Sequence, residues 1–103
     1  MHRIHFLSCI PSRRRTQLLS EIQSRYEFCL GALSSQDQLA LRCVLSRYIY
    51  YQTFIDNYSL VDAITNTMPD LDAGICHQMI ALEGISPLHA EILIEFITAE
   101  QMY

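Results

Sequence analysis

Five aromatic side chains fall within eleven residues, Tyr48, Tyr50, Tyr51, Phe54 and Tyr58, and Arg47 stands immediately before them. The chemistry such a cluster offers is recognition. A tyrosine has a large apolar body and a polar tip, so it suits a surface that is wet when free and dry when covered. At helical spacing the five rings cover more than one face. Tyr48, Tyr51 and Tyr58 share a stripe with Ile55, which is expected to face the core. Tyr50 and Phe54 then point elsewhere, with Arg47 one turn before Tyr50. The candidate partner-binding set on this segment is therefore Tyr50, Phe54, Arg47 and Tyr51, the last shared with the core stripe.

Arg13, Arg14 and Arg15 form the densest charge cluster. They lie where a helix should begin, and a helix start favours anions, so helix stability does not account for three cations there. They suit contact with phosphate or with an acidic protein surface, and complete the candidate site as its charged rim. A nucleic-acid-associated regulator using Arg13, Arg14 and Arg15 is the alternative function. A net charge of −4 with only seven basic residues argues against strong nucleic-acid binding.

Other constellations fall short of chemistry. Cys76-His77 and His89 offer soft metal ligands, but adjacent helical residues diverge by about 100° and no fourth ligand stands at a standard spacing. His89-Ala90-Glu91 has the H-x-E order of a zinc deaminase without the P-C-x-x-C half. Asp70-Leu71-Asp72 lacks the glycine-bearing loop of a calcium site, and helix capping explains both aspartates. There is no G-x-S-x-G turn and no phosphate loop. Residues 70–103 mimic a helix-turn-helix, but the second helix carries Glu91, Glu95 and Glu100 and no arginine, which DNA would repel. The reading is a non-enzyme with no cofactor and no metal.

Composition points the same way. Only 17% of the 103 residues are charged, against roughly 25% in an average globular chain, so part of the surface is expected to be covered. All seven basic residues are arginine and fall in residues 1–47 with three acids, a sum of +4; residues 48–103 hold eight acids and no lysine or arginine, a sum of −8. Such asymmetry suits a polar binding surface, or basic and acidic helices packed side by side. Cys9, Cys29, Cys43 and Cys76 form no C-x-x-C pair, Cys29 and Cys43 sit at apolar helical positions, and all four read as reduced, in the cytoplasm. No apolar run approaches 18 residues, so no membrane span is expected, and residues 1–15 make a poor signal peptide.

The elements that must position these residues are helices. A short arm, 1–11, precedes a single helical domain, 12–103. The first helix runs from 12 to 30 or 33, on Leu18, Leu19, Ile22, Tyr26, Cys29, Leu30 and Leu33. The second starts with Ser35-Gln36-Asp37-Gln38 as a capping box and runs to about 57. A short third is capped by Ser59 with Asp62 at N3, and stops near Thr67 because Met68 precedes Pro69. A fourth starts at Asp70 or Asp72, carries Leu71, Ile75, Met79 and Leu82, and ends in a Schellman turn with Gly84 left-handed and Ile80 paired with Ile85. The fifth starts at Ser86-Pro87, with Leu88, Ile92, Phe96 and Ala99 facing the core, joined by Leu93 and Ile97. The fold expected is all-α, a compact bundle or orthogonal packing of four to five helices with the second as its spine. The function expected is a non-catalytic protein–protein interaction module: a small helical adaptor, regulator or dedicated chaperone that forms a homodimer.

Overall fold

In the computed structural model the described residues are 12–68, 70 and 72–102. The 1–11 arm and Leu71 lie outside them, as do the side chains of Arg13 and Arg15. Five α-helices and one 3₁₀ turn make up the described chain: α1 (Ser12–Tyr26), the 3₁₀ turn (Leu30–Ala32), α2 (Ser35–Gln52), α3 (Leu60–Thr67), α4 (Ala73–Ile80) and α5 (Pro87–Met102). The fold is all-α, as the periodicity predicts. No described helix is long and apolar enough to cross a membrane.

Helix α2 is the hub. It packs against α5 and against α3, while α1 leans on α5 and α3 on α4. Leu41, Val44, Leu45 and Tyr48 supply its buried face, and Leu60, Met79, Leu82, Ile92, Leu93 and Ile97 meet it in one continuous core. No polar or charged residue is wholly buried among those described. The core is therefore held mainly by apolar contact, with side-chain hydrogen bonds at helix ends and a few between elements.

Helix α1 stops at Tyr26, four to seven residues earlier than its periodicity suggests. Glu27 takes a left-handed conformation, φ 51°. Phe28 N–H then donates to Gln23 O at 3.0 Å and Glu27 N–H to Ser24 O at 3.4 Å, the paired bonds of a Schellman ending. Breaking the helix here swings Phe28, Leu30 and Leu33 into the core from the connection, whereas a continued helix would have spread them around its circumference. Cys29 is left exposed, contrary to its apolar spacing. A left-handed glutamate is strained. Glu27→Gly should therefore stabilise the fold by about 0.5–1 kcal/mol, read as a higher urea midpoint with an unchanged slope; a lower midpoint would show that Glu27 makes contacts worth more than its strain.

Two glutamines fasten the connection that follows. Leu30 N–H donates to Gln23 Oε1 at 2.9 Å, and Gln38 Nε2 donates to Leu30 O at 3.0 Å and Leu33 O at 3.2 Å. Gln38 Oε1 accepts from Gln101 Nε2 at 3.0 Å, tying the same connection to the end of α5. The α2 cap is consequently shifted by one residue from the expected box. Ser34, not Ser35, accepts from Asp37 N–H at 3.1 Å, and Gln38 is occupied elsewhere.

Helix α2 also ends early, at Gln52. Thr53 N–H turns back to Tyr50 O, Ile55 N–H bonds Tyr51 O at 2.8 Å, and Asn57 is left-handed at φ 62°. This corner brings Tyr58 inward, where its ring lies 5.3 Å from that of Tyr51 and its hydroxyl accepts from Asn66 Nδ2. It also turns Ile55 out to 46% exposure, so Ile55 is not part of the core stripe. Helix α3 follows its prediction: Ser59 and Asp62 form a reciprocal capping box, and Glu83 from the α4–α5 connection accepts from Leu60 N–H at 2.9 Å.

Helix α4 starts from Asp72, whose carboxylate accepts from Gly74 N–H. Gly84 is left-handed, φ 83°, but the Schellman pair is absent. Ile85 N–H bonds Leu82 O, and Glu83 N–H bonds Ile80 O, because the chain leaves α4 in a series of tighter turns. Ile85 is buried and Ile80 exposed. Ser86 caps α5 by accepting from His89 N–H at 3.2 Å. On α5 the buried line is Ala90, Ile92, Leu93, Ile94 and Ile97; Phe96 is half-buried, and Leu88 and Ala99 are exposed. The helix is apolar almost all round, so periodicity alone could not fix which face turns inward.

Candidate functional site

The last two turns of α2 and the corner after it carry the largest exposed aromatics. Tyr50 is 59% and Phe54 69% exposed, as their spacing relative to Tyr48 demands. The Tyr50 ring stands edge-on to Tyr51 at 5.1 Å and 88°, and at 5.1 Å and 60° to Phe54. The Arg47 guanidinium lies 5.4 Å from the Tyr51 ring centroid, a cation–π contact that holds the charge beside the rings. Tyr51 is half-buried and bridges this outer group to Tyr58 and the core. The structure thus brings together four of the seven candidate residues: Arg47, Tyr50, Tyr51 and Phe54.

The three arginines of the other cluster belong to α1, not α2. Arg14 is exposed and lies 3.6 Å from Glu21 two turns along α1. Glu21 borders an open polar face with Thr16, Gln17, Ser20, Ser24 and Arg25.

Beside the aromatic edge runs an open groove of about 520 Å³, lined by Arg42, Cys43, Ser46, Arg47, Tyr50, Tyr51 and Thr67. Among the described residues no acid contributes to it. Arg42 Nε donates to Thr98 Oγ1 at 3.0 Å, and neither Arg42 nor Arg47 is in an ion pair among the described residues. The Thr67 hydroxyl is buried and has no hydrogen-bond partner, an arrangement that a native interior rarely leaves unfilled. Arg42, Cys43 and Ser46 were legible from helical spacing, since they lie one to two turns before Tyr50 on one face. Cys43 was expected at an apolar position and is exposed instead. Thr67 was not legible, because only the packing of α3 on α2 brings it there.

A second cluster joins α1 to α5. Tyr26 Oη and His89 Nδ1 are 3.0 Å apart, and Ser86 N–H donates to Tyr26 Oη at 3.4 Å. Tyr48 Oη donates to the Ile85 carbonyl at 2.9 Å. The two tyrosines pin the α4–α5 turn from both sides, which makes His89 and Ser86 part of a structural knot. No group of three metal-binding side chains occurs among the described residues. No family model, curated protein or solved structure matches the chain.

Proposed function

We propose that this chain is a non-catalytic protein–protein interaction module, a small helical adaptor, regulator or dedicated chaperone, that binds through the aromatic edge of α2 and self-associates there. The observation that carries the reading is the exposure of Tyr50 and Phe54 side by side in an edge-to-face pair. Aromatic and arginine side chains are the ones that dominate interface energies. A cytoplasmic setting belongs to the same proposal, supported by the free thiols of Cys29, Cys43 and Cys76.

Light scattering behind size exclusion tests it, at low and high salt, on the wild type and on Tyr50→Ala/Phe54→Ala. A wild-type dimer that the double variant converts to monomer is the expected result, with a dissociation constant raised by at least about thirtyfold, or about 2 kcal/mol. Because both side chains are exposed, the variant should stay folded, with a melting temperature that matches the wild type's at protein concentrations where the wild type is monomeric. A monomer in every condition overturns self-association.

A further inference from the structure

We infer that the groove between α2 and α3 docks an acidic peptide segment of a partner protein: Arg42 and Arg47 each receive one of its carboxylates, and the Tyr50 and Tyr51 rings pack on its side-chain stems. The site presupposes the interaction module proposed above, but not its self-association.

Arg42 and Arg47 both line this groove, and no acid does so among the described residues. Each is half-buried, and each is held by a contact that leaves its charge unanswered. Arg42 Nε donates to Thr98 Oγ1 at 3.0 Å, and Thr98 Oγ1 donates to Ile94 O at 2.8 Å. That relay orients the guanidinium and leaves its two terminal nitrogens for a ligand. The Arg47 guanidinium lies against the Tyr51 ring at 5.4 Å, a contact that uses its face and none of its five N–H donors. Neither arginine is in an ion pair among the described residues. A guanidinium that has already lost part of its water gains more from a carboxylate than a fully exposed one does. The chain as a whole carries −4, so the groove is a positive trough on an acidic molecule. An acidic ligand is attracted there and repelled by most of the remaining surface, which decides where it lands.

Shape selects a peptide over a small anion. Arg42 and Arg47 are five residues apart on α2, about 7.5 Å along its axis and about 140° around it. They border the groove at two places, with Cys43, Ser46 and Tyr50 between them on the helix face, instead of converging on one point. A free phosphate or a single carboxylate answers one of them. An extended peptide presents every second side chain on one face, about 6.8 Å apart, so acids at alternate positions meet both. The groove is open and about 520 Å³, within the range that holds a few side chains.

The test is two-dimensional amide NMR of the isotope-labelled full chain, titrated with a capped hexapeptide of alternating glutamate and alanine, too short to be helical. It should bind with a dissociation constant of about 1 mM or tighter at about 20 mM salt, moving the amides of Cys43, Ser46 and Tyr50. The same peptide with glutamine for glutamate should bind at least about tenfold more weakly, and about 500 mM salt should cost at least about fivefold. Arg42→Gln and Arg47→Gln should each weaken binding by about fivefold or more, and Arg14→Gln, on α1, by less than about twofold, with folding of each variant confirmed by its amide spectrum. No shifts at about 5 mM peptide, shifts centred on another face, or equal binding of the glutamine peptide overturn the site. Inorganic phosphate that matches the peptide in affinity at the same amides overturns the peptide as its occupant. Concentration-dependent shifts at Cys43 and Ser46 without peptide do so in favour of a second copy. If the peptide fails while Tyr50→Ala/Phe54→Ala still dissociates a wild-type dimer, self-association stands without this site; if the peptide binds a monomeric chain, the site stands without self-association.

Discussion

Tyr48→Ala should cost about 3–5 kcal/mol of folding stability, the range for removing a large aromatic from a close-packed core. That is about a fifth or more of what a domain of this size has in total, and it corresponds to a fall in Tm of about 12–40 °C at about 4–8 °C per kcal/mol. The reason is position. Tyr48 is 2% exposed on the hub helix, and its hydroxyl donates to the Ile85 carbonyl in the α4–α5 turn. Alanine removes both the ring and the tether. Phenylalanine separates the two contributions: it keeps the ring and strands a buried carbonyl, for about 1–2 kcal/mol. Urea melts of the three proteins measure both steps. A Tyr48→Ala loss below about 1 kcal/mol would mean that the ring is not in the core.

The same residue gives an alkaline signature. Burial raises the Tyr48 pKa above its ordinary value, and the Glu83 carboxylate adds to the effect. An acid whose folded pKa is raised contributes stability in full below its unfolded pKa, and loses it as pH climbs from that value through the folded one. The window opens at about pH 10, where an unfolded tyrosine ionises. Wild-type stability should fall more steeply than that of Tyr48→Phe between about pH 9 and 11, since the two proteins differ only in the Tyr48 hydroxyl. Parallel slopes would place the Tyr48 hydroxyl in water.

The second large effect contrasts two residues of α5. Ile97→Ala should cost about 2–5 kcal/mol and Leu88→Ala no more than about 0.5 kcal/mol. Periodicity puts Leu88 on the core line, yet it is 55% exposed, while Ile97 is wholly buried. The α2–α5 contact is the most extensive in the fold, so the cavity left by Ile97→Ala lies where there is least freedom to collapse. Comparable losses from the two substitutions would rotate α5 relative to the arrangement described.

The sequence alone determined the helices, and with them the all-α class. Ser59 with Asp62 and Ser86 with Pro87 are local signals, because a cap bonds to amides two or three residues away and needs no tertiary partner. It also placed Tyr50 and Phe54 off the Tyr48 face, because a helix fixes the angle between its own residues. The tertiary structure decided everything that joins one helix to another. Leu30 and Leu33 continue the α1 stripe as well as they fill the core from a connection, and the second outcome prevails because the left-handed Glu27 lets Phe28 be buried too. Ser34 displaces Ser35 as the cap because Gln38 is drawn to the Leu30 and Leu33 carbonyls. On α5, apolar almost all round, only the α2 surface could select Ile97 over Leu88. The groove beside the aromatic edge has the same origin: its arginines and tyrosines come from one helix, and its far wall at Thr67 comes from another.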